Sequence, residues 1–199
     1  LNLEVPETID EWHTVLTAFK NEKGVAAPYC PEWTREDFKD NDPFAYAFNT
    51  CRSFYLGDDG KVKFGAVEEN YKKYLELMNQ WYAEGLIDPD MATLKFDQVS
   101  AKMTNGSAGA SIGFAGSRMG AWITAAQAND PNYMLVAAPY PTLEKGAKPE
   151  FALLVTVGAG LCILAGTVGK MQYLLGMLAQ MKSYLPVDSS YLNTLSVFR

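Results

Sequence analysis

An α/β fold, a mixed sheet flanked by helices, is what the sequence predicts, and three observations lead there. The first is a long amphipathic stretch at residues 68–90, in which apolar and aromatic side chains recur every three to four positions. The second is a pair of short alternating runs, FYL and KVKF, on either side of Gly-Asp-Asp-Gly, a turn sequence that reads as a β-hairpin. The third is the segment SAGASIGFAGSRMGAWITAAQA, in which an apolar strand, a glycine-rich loop and a helix follow one another without interruption. At 199 residues the chain suits one domain, or one lobe with part of another. Its 48% apolar, 13% aromatic and 20% charged residues are a composition that builds a packed core.

Taken in order, the chain opens with a helix. Thr8 and Glu11 form a T-x-x-E capping box, Asp10 and Glu11 complement the helix dipole in the first turn, and Ile9, Trp12, Val15, Leu16 and Phe19 share one stripe. His13, the sole histidine, lies off that stripe, and no Ser or Cys arrangement points to it as a general base. Residues 24–41 carry Pro28, Pro31 and Trp33 and read as loop, with a short helix DFKD capped by Thr34. Asp42-Pro43 starts a further helix, FAYAFNTCRSF, since proline is tolerated at the first helical position. Exposed aromatics at Tyr29, Trp33, Phe44 and Phe48 would suit a ligand cleft by stacking on flat ligand faces, with core packing the alternative; Trp33 alone is taken as a candidate, because it sits in a loop.

The long helix places Tyr71, Tyr74, Leu75, Met78, Trp81 and Tyr82 on its apolar stripe and Glu69, Lys72, Lys73, Glu76 and Asn79 in water. Gly85 stands where a left-handed cap belongs, and Asp88-Pro89 forbids further helix. Asp97 then caps a short helix that Gly106 ends. In the next unit Ser117 is placed to cap a helix whose stripe is Met119, Trp122, Ile123 and Ala126, while Gly113 and Gly116 let the backbone approach a ligand. Free N–H groups at such a helix start favour oxygen acceptors, and Arg118 adds a directional fork. The spacing matches neither a P-loop nor a dinucleotide fingerprint. YMLVAAPYP and EFALLVTVGAG read as strands. A membrane span over residues 151–168 competes for the second, but three glycines and two threonines dilute it.

Seventeen basic against 23 acidic residues, a net charge of −6, argue against nucleic acid or an anionic membrane as main partner. Three cysteines without a CxxC pair and one histidine leave a zinc site almost no ligands, so no metal or cofactor is expected. A Cys30–Cys51 disulfide would staple a loop, but spacing does not decide whether the two pair. No signal peptide is visible at the start.

GKVKFG followed by YKKYLELMNQWYAEGLIDPD, a polar helix and an apolar strand resembles bacterial extracellular solute-binding proteins of family 1, the capture subunits of ABC importers, and within them the lipoprotein members that handle sugars or oligosaccharides. The resemblance covers roughly residues 1–156. It implies a type II periplasmic-binding fold represented mostly by one lobe: residues 1–150 as the second lobe, and 151–199 as a return segment toward the first with an atypical tail. It also implies a non-catalytic protein, extracellular as a cell-surface lipoprotein or periplasmic, that holds a sugar or oligosaccharide between two lobes and delivers it to membrane subunits. The ligand-binding residues expected are Trp33, Phe114, Gly116, Ser117, Arg118 and Met119. Sugar binders of the family often carry a tryptophan in that loop, where this chain has Phe114, Ala115 and Ser117.

A saccharide-acting hydrolase and a carbohydrate-sensing module are the alternatives. The hydrolase needs two carboxylates on one cleft, and Asp58, Asp59, Glu84 and Asp88 each have a simpler role in a turn or cap. After Thr156 the sequence departs from the family, which usually shows a Glu-Ala or Asp-Ala helix there. The codons of Lys170-Met171-Gln172, read two bases on, give Asp or Asn followed by Ala, and those of Gln180-Met181-Lys182 give Asp or Asn followed by Glu. A frameshifted tail that packs poorly and a genuine amphipathic helix over residues 170–184 are both open readings.

Overall fold

The computed structural model describes residues 1, 3–40, 42–57, 59–147, 153–154 and 194–198. Asp58, the tail at residues 170–184 and, apart from residues 153–154, the stretch 151–168 weighed as a membrane span lie outside that set. Helices and short strands alternate: α1 (Ile9–Lys23), β1 (Ala27–Tyr29), α2 (Glu36–Asp40), α3 (Pro43–Tyr46), β2 (Phe54–Leu56), β3 (Val62–Phe64), α4 (Glu69–Ala83), α5 (Phe96–Thr104), β4 (Ala108–Gly113), α6 (Gly120–Gln127), β5 (Leu135–Ala138), β6 (Leu153–Leu154) and β7 (Thr194–Phe198). A four-stranded sheet runs β1-β4-β7-β5, and a smaller one runs β3-β2-β6. Since β1 is parallel to β4 while β7 is antiparallel to both of its neighbours, the larger sheet is mixed. Residues 194–198, to which the shifted-frame reading gives no packing role, are hydrogen-bonded between β4 and β5.

α1 begins at the expected capping box, with the Glu11 N–H donating to Thr8 Oγ1 at 3.2 Å and the Thr8 N–H to Glu11 Oε2 at 3.3 Å. Its five-residue stripe is buried throughout. α4 ends as its sequence demands. Gly85 takes φ +67°, its N–H donates to the Tyr82 carbonyl, and the Leu86 N–H reaches back to Trp81, so two orphaned carbonyls are satisfied at once. Leu86 and Ile87 then fold into the core, and backbone bonds from Tyr29 to Leu86 and from Asp88 to Tyr29 fasten the helix end to β1.

The stripe of α4 is narrower than its period suggests. Tyr74, Met78 and Trp81 are buried, whereas Leu75 and Tyr82 are 46% and 44% exposed. The main core joins these three to Trp12, Leu16, Phe19, Tyr29 and Phe44, with Phe44 edge-on to Trp12, Tyr29 and Trp81 at 5.4, 5.2 and 5.0 Å. A second cluster, including Leu94, Val99, Met103, Trp122 and Tyr133, lies among α5, α6 and β5.

Local details differ from expectation at three places, and the open question of a Cys30–Cys51 bridge is answered. α3 is only four residues long, ending before Asn49, which takes φ +50°. Thr34 does not cap α2 but donates its hydroxyl to the Leu94 carbonyl at 2.5 Å. Asp97 falls inside the first turn of α5, whose start is fixed instead by the Lys95 N–H donating to Gln98 Oε1 at 3.0 Å. Cys30 and Cys51 are free, not bridged; both are buried, with Cys30 Sγ 3.4 Å from Asp88 Oδ2.

The hairpin forms as read, with Phe54 opposite Phe64 and Leu56 opposite Val62. Just beyond it Gly65 is wedged against the preceding loop: a Cβ there would lie 1.9 Å from the Cys51 carbonyl oxygen. Gly65→Ala is therefore expected to destabilise the protein by about 1–3 kcal/mol or more. Gly120→Ala, in α6 where a Cβ meets nothing within 4 Å, should stabilise it by roughly 0.5–1 kcal/mol. Thermal melts of the two variants, side by side, check both signs.

Candidate functional site

Two stretches distant in sequence meet beyond the ends of β1 and β4: one holding Glu32, Arg35 and Phe38, and the turn that follows Gly113. The turn, Ala115–Met119, has π-helical geometry, with the Ser117 and Met119 N–H groups both donating to the Phe114 carbonyl, at 3.2 and 3.3 Å. The extra residue in this turn sends Ser117 outward and Arg118 inward: Ser117 is exposed, while Arg118 is 3% exposed. Ser117 does not cap α6, which starts at Gly120 without any side-chain cap.

The Arg118 guanidinium is not a fork offered to the surface. Its Nη2 is ion-paired with Glu32, itself 6% exposed, and the group lies 4.4 Å from the ring centre of Phe38, 4.7 Å from Phe96 and 5.9 Å from Trp122. Met119 is also buried, in the second core cluster. Gly113 brings the chain close to Arg118 rather than to open space, since a Cβ on it would stand 3.0 Å from the Arg118 Cβ. Phe114 is half-buried, its ring 5.4 Å from that of Phe38, and Arg35 sits over both rings at 5.0 and 5.7 Å.

Trp33, next to Glu32, is half-buried, and its Nε1 donates to Asp42 Oδ2 at 3.2 Å. Of the four aromatics weighed for a cleft, Tyr29 and Phe44 are fully buried core residues, and Phe48 packs partly against the same core. Asp42 was legible only as a helix cap, a role it fills by accepting from the Phe44 N–H at 2.9 Å. It also accepts from Tyr74 and Trp33, and complete burial pushes its carboxyl up to about 6 against these hydrogen bonds. The structure thus links Phe114 and the 115–119 turn to residues 32 and 38 through Phe38 and Arg118, while Trp33, next to Glu32 in the chain, bonds Asp42 instead. Ser117 is exposed and Phe114 packs half-buried against the main core, whereas Arg118 and Met119 serve the interior. Glu32, Phe38 and Phe96 were missed, and no local signal in the sequence marks them.

The carboxylates that a hydrolase would need are otherwise engaged. Asp59 accepts from the Lys61 N–H in the hairpin turn at 3.2 Å. Glu84 bonds His13 Nε2 at 2.6 Å, an exposed tie between α4 and α1 that also accounts for the histidine. Asp88 is fully buried, bonded to Lys102 Nζ at 2.5 Å. Two shallow depressions, of about 210 and 330 Å³, lie along the N-terminal segment and α1, and none of the candidate residues lines them. Among the described residues no helix is long and apolar enough to cross a membrane.

No protein-family profile matches the chain. In sequence it is 32% identical over 102 residues to the fructooligosaccharide ABC transporter substrate-binding protein FusA of Streptococcus pneumoniae serotype 4, an alignment that covers 45% of this chain and 18% of FusA. The chain therefore spans about a fifth of the length of the curated relative it matches. Among solved structures, FusA in complex with kestose is 28% identical with a TM-score of 0.46, covering 53% of this chain and 23% of that one. An HMO-binding, ABC-transporter-associated solute-binding protein from Bifidobacterium longum infantis is 25% identical with a TM-score of 0.43, covering 52% and 24%. Over about half its length, the chain is thus similar to the substrate-binding proteins of ABC transporters.

Proposed function

We propose that the chain is part of an extracellular or periplasmic solute-binding protein that captures an oligosaccharide for an ABC importer and carries out no chemistry on it. The observation that carries this reading is the 32% identity to FusA, a protein whose name specifies fructooligosaccharide. In this reading residues 1–150 belong to the second lobe of a type II periplasmic-binding fold, residues 151–199 lead back toward the first, and the ligand is held by closure of two lobes about a hinge. Trp33, Phe114 and Ser117, with the Gly116 backbone, supply the ligand-facing surface: half-buried rings suit the apolar face of a pyranose or furanose, and an exposed hydroxyl beside a turn suits its polar rim. The engagement of Asp59, Glu84 and Asp88 in other bonds favours binding over hydrolysis.

Kestose provides the test. A binder is stabilised by its ligand, by about 2.7 kcal/mol at a hundredfold excess over Kd, with no product formed. Trp33→Ala and Ser117→Ala are expected to reduce that shift without lowering the melting point of the free protein by more than a few degrees. Release of fructose would replace the binding reading with the hydrolase. No shift at any kestose concentration would remove fructooligosaccharide as the ligand.

A further inference from the structure

We propose that Glu32 and Arg118 are a positioning pair, which holds the Ala115–Met119 turn in the one conformation that leaves Ser117 exposed and Phe114 half-buried beside Phe38; the proposal rests on the binding reading of that surface. Both charges are inside the protein, Arg118 at 3% and Glu32 at 6% exposure, and they come from the two stretches that carry every candidate ligand residue. A buried ion pair seldom stabilises a fold more than apolar residues of the same volume would. What it does supply is registry, because only one relative placement of the two segments lets the carboxylate meet the guanidinium.

The surroundings fit that role. Phe38 of α2, Phe96 of α5 and Trp122 of α6 approach the guanidinium from three separate elements, so that Arg118 has little freedom of its own. Its backbone lies within a turn wound one residue wider than an α-helix, a geometry found in short pieces and frequently at functional sites. A turn relaxed to ordinary α-helical winding would rotate residue 118 away from Glu32 and carry Ser117 with it. The ion pair is thus the contact that distinguishes the two windings. Phe38 extends the same link, since its ring touches both the Arg118 guanidinium and the ring of Phe114. Arg118 therefore acts on the ligand surface through Phe114 and Ser117, without touching ligand itself.

Either single change strands a buried charge, so the decisive variant carries two, Glu32→Leu with Arg118→Met. Its melting point is expected to stay within a few degrees of the parent. Amide hydrogen exchange at Ser117, Met119 and Gly120 should accelerate by roughly tenfold or more, while the amides of α4 keep their protection. Affinity for kestose should fall by about tenfold or more in parallel. Unchanged exchange at those three amides overturns the proposal, as does an equal acceleration in α1, α4 and the turn, which is the signature of a pair that only stabilises. Should the double variant not fold, Arg118→Lys, which keeps both charges and loses the planar guanidinium that meets Glu32, is read by the same three amides. If the parent chain does not bind kestose, the binding reading falls; the exchange comparison still decides whether this pair holds the turn.

Discussion

Trp81→Ala is expected to lower stability by about 3–5 kcal/mol, the range for removing a large ring from a packed core. In a chain of this size that corresponds to a drop in melting midpoint on the order of 10 °C. Trp81 is 1% exposed and stands at the centre of the aromatic cluster, with Phe44 edge-on at 5.0 Å and the His13 ring at 6.3 Å. Its neighbours cannot collapse into the vacated space. Phe44 is already fixed between Trp12 and Tyr29, and the Trp81 carbonyl is tied to Leu86 in the helix cap. Tyr82→Ala, one position along, supplies the contrast. That side chain is 44% exposed, its hydroxyl makes a long 3.4 Å bond to the Pro89 carbonyl, and the expected change is within about 0.5 kcal/mol. Urea unfolding of both variants measures the difference. A Trp81→Ala loss below about 1 kcal/mol would mean that α4 is not fastened to the core through this ring.

The contrast between these neighbours also shows how far the sequence was legible. Features whose cause is local were readable: the Thr8–Glu11 capping box, the left-handed Gly85 and the Gly-Asp-Asp-Gly turn each require only residues within a few positions of one another. A helical period locates the centre of a buried stripe, at Tyr74, Met78 and Trp81, but its width depends on what covers it, so Leu75 and Tyr82 at the margins were misplaced. Tyr29 and Phe44 stayed open between cleft and core for a related reason. Nothing local in the loop around Tyr29 or the helix at Phe44 decides burial, while the partner that buries them, α4, is supplied by a later part of the chain. The insertion of β7 between β4 and β5 is likewise a pairing over more than 80 residues to β4 and more than 55 to β5, and nothing local specifies it. At the candidate site the loop was found from its glycines, yet the direction of Arg118 was not, because Glu32 lies 86 positions away. A buried charge has a definite orientation only once its counter-charge is placed, and that placement belongs to the tertiary fold.

Asp42 should make the stability and the Trp33 environment respond to mild acid. Its carboxyl ordinarily titrates at 3.8, and full burial raises it to about 6 although four donors, the Phe44 and Ala45 N–H groups, Tyr74 and Trp33, oppose the rise. The groups facing it are Tyr29 on β1, Tyr46 on α3, and Tyr71 and Tyr74 on α4, with Asp40 and Arg52 acting on the same tyrosines. No cation is bonded to it in the hydrogen bonds described, and burial in turn raises the phenols of Tyr29, Tyr46 and Tyr74 well above their usual value. Since the folded value exceeds the unfolded one, the folded protein binds this proton more tightly. The stabilisation from protonation is complete below about pH 4 and is lost as pH rises through about 6, a swing of about 3 kcal/mol. Surface carboxylates such as Glu11 and Glu84, held below their usual range by their partners, work in the opposite sense, but they are common to parent and variant and cancel in a comparison. The measurement is therefore the stability of the parent minus that of Asp42→Asn between about pH 4 and 7, which is expected to decrease with rising pH. Because Trp33 Nε1 donates to Asp42 Oδ2, protonating the carboxyl weakens the acceptor and the indole emission should titrate with a midpoint near 6 in the parent and not in the variant. A stability difference that stays flat over that range, with indole emission independent of pH, would place the Asp42 titration at the ordinary carboxylate value and uncouple Trp33 from it.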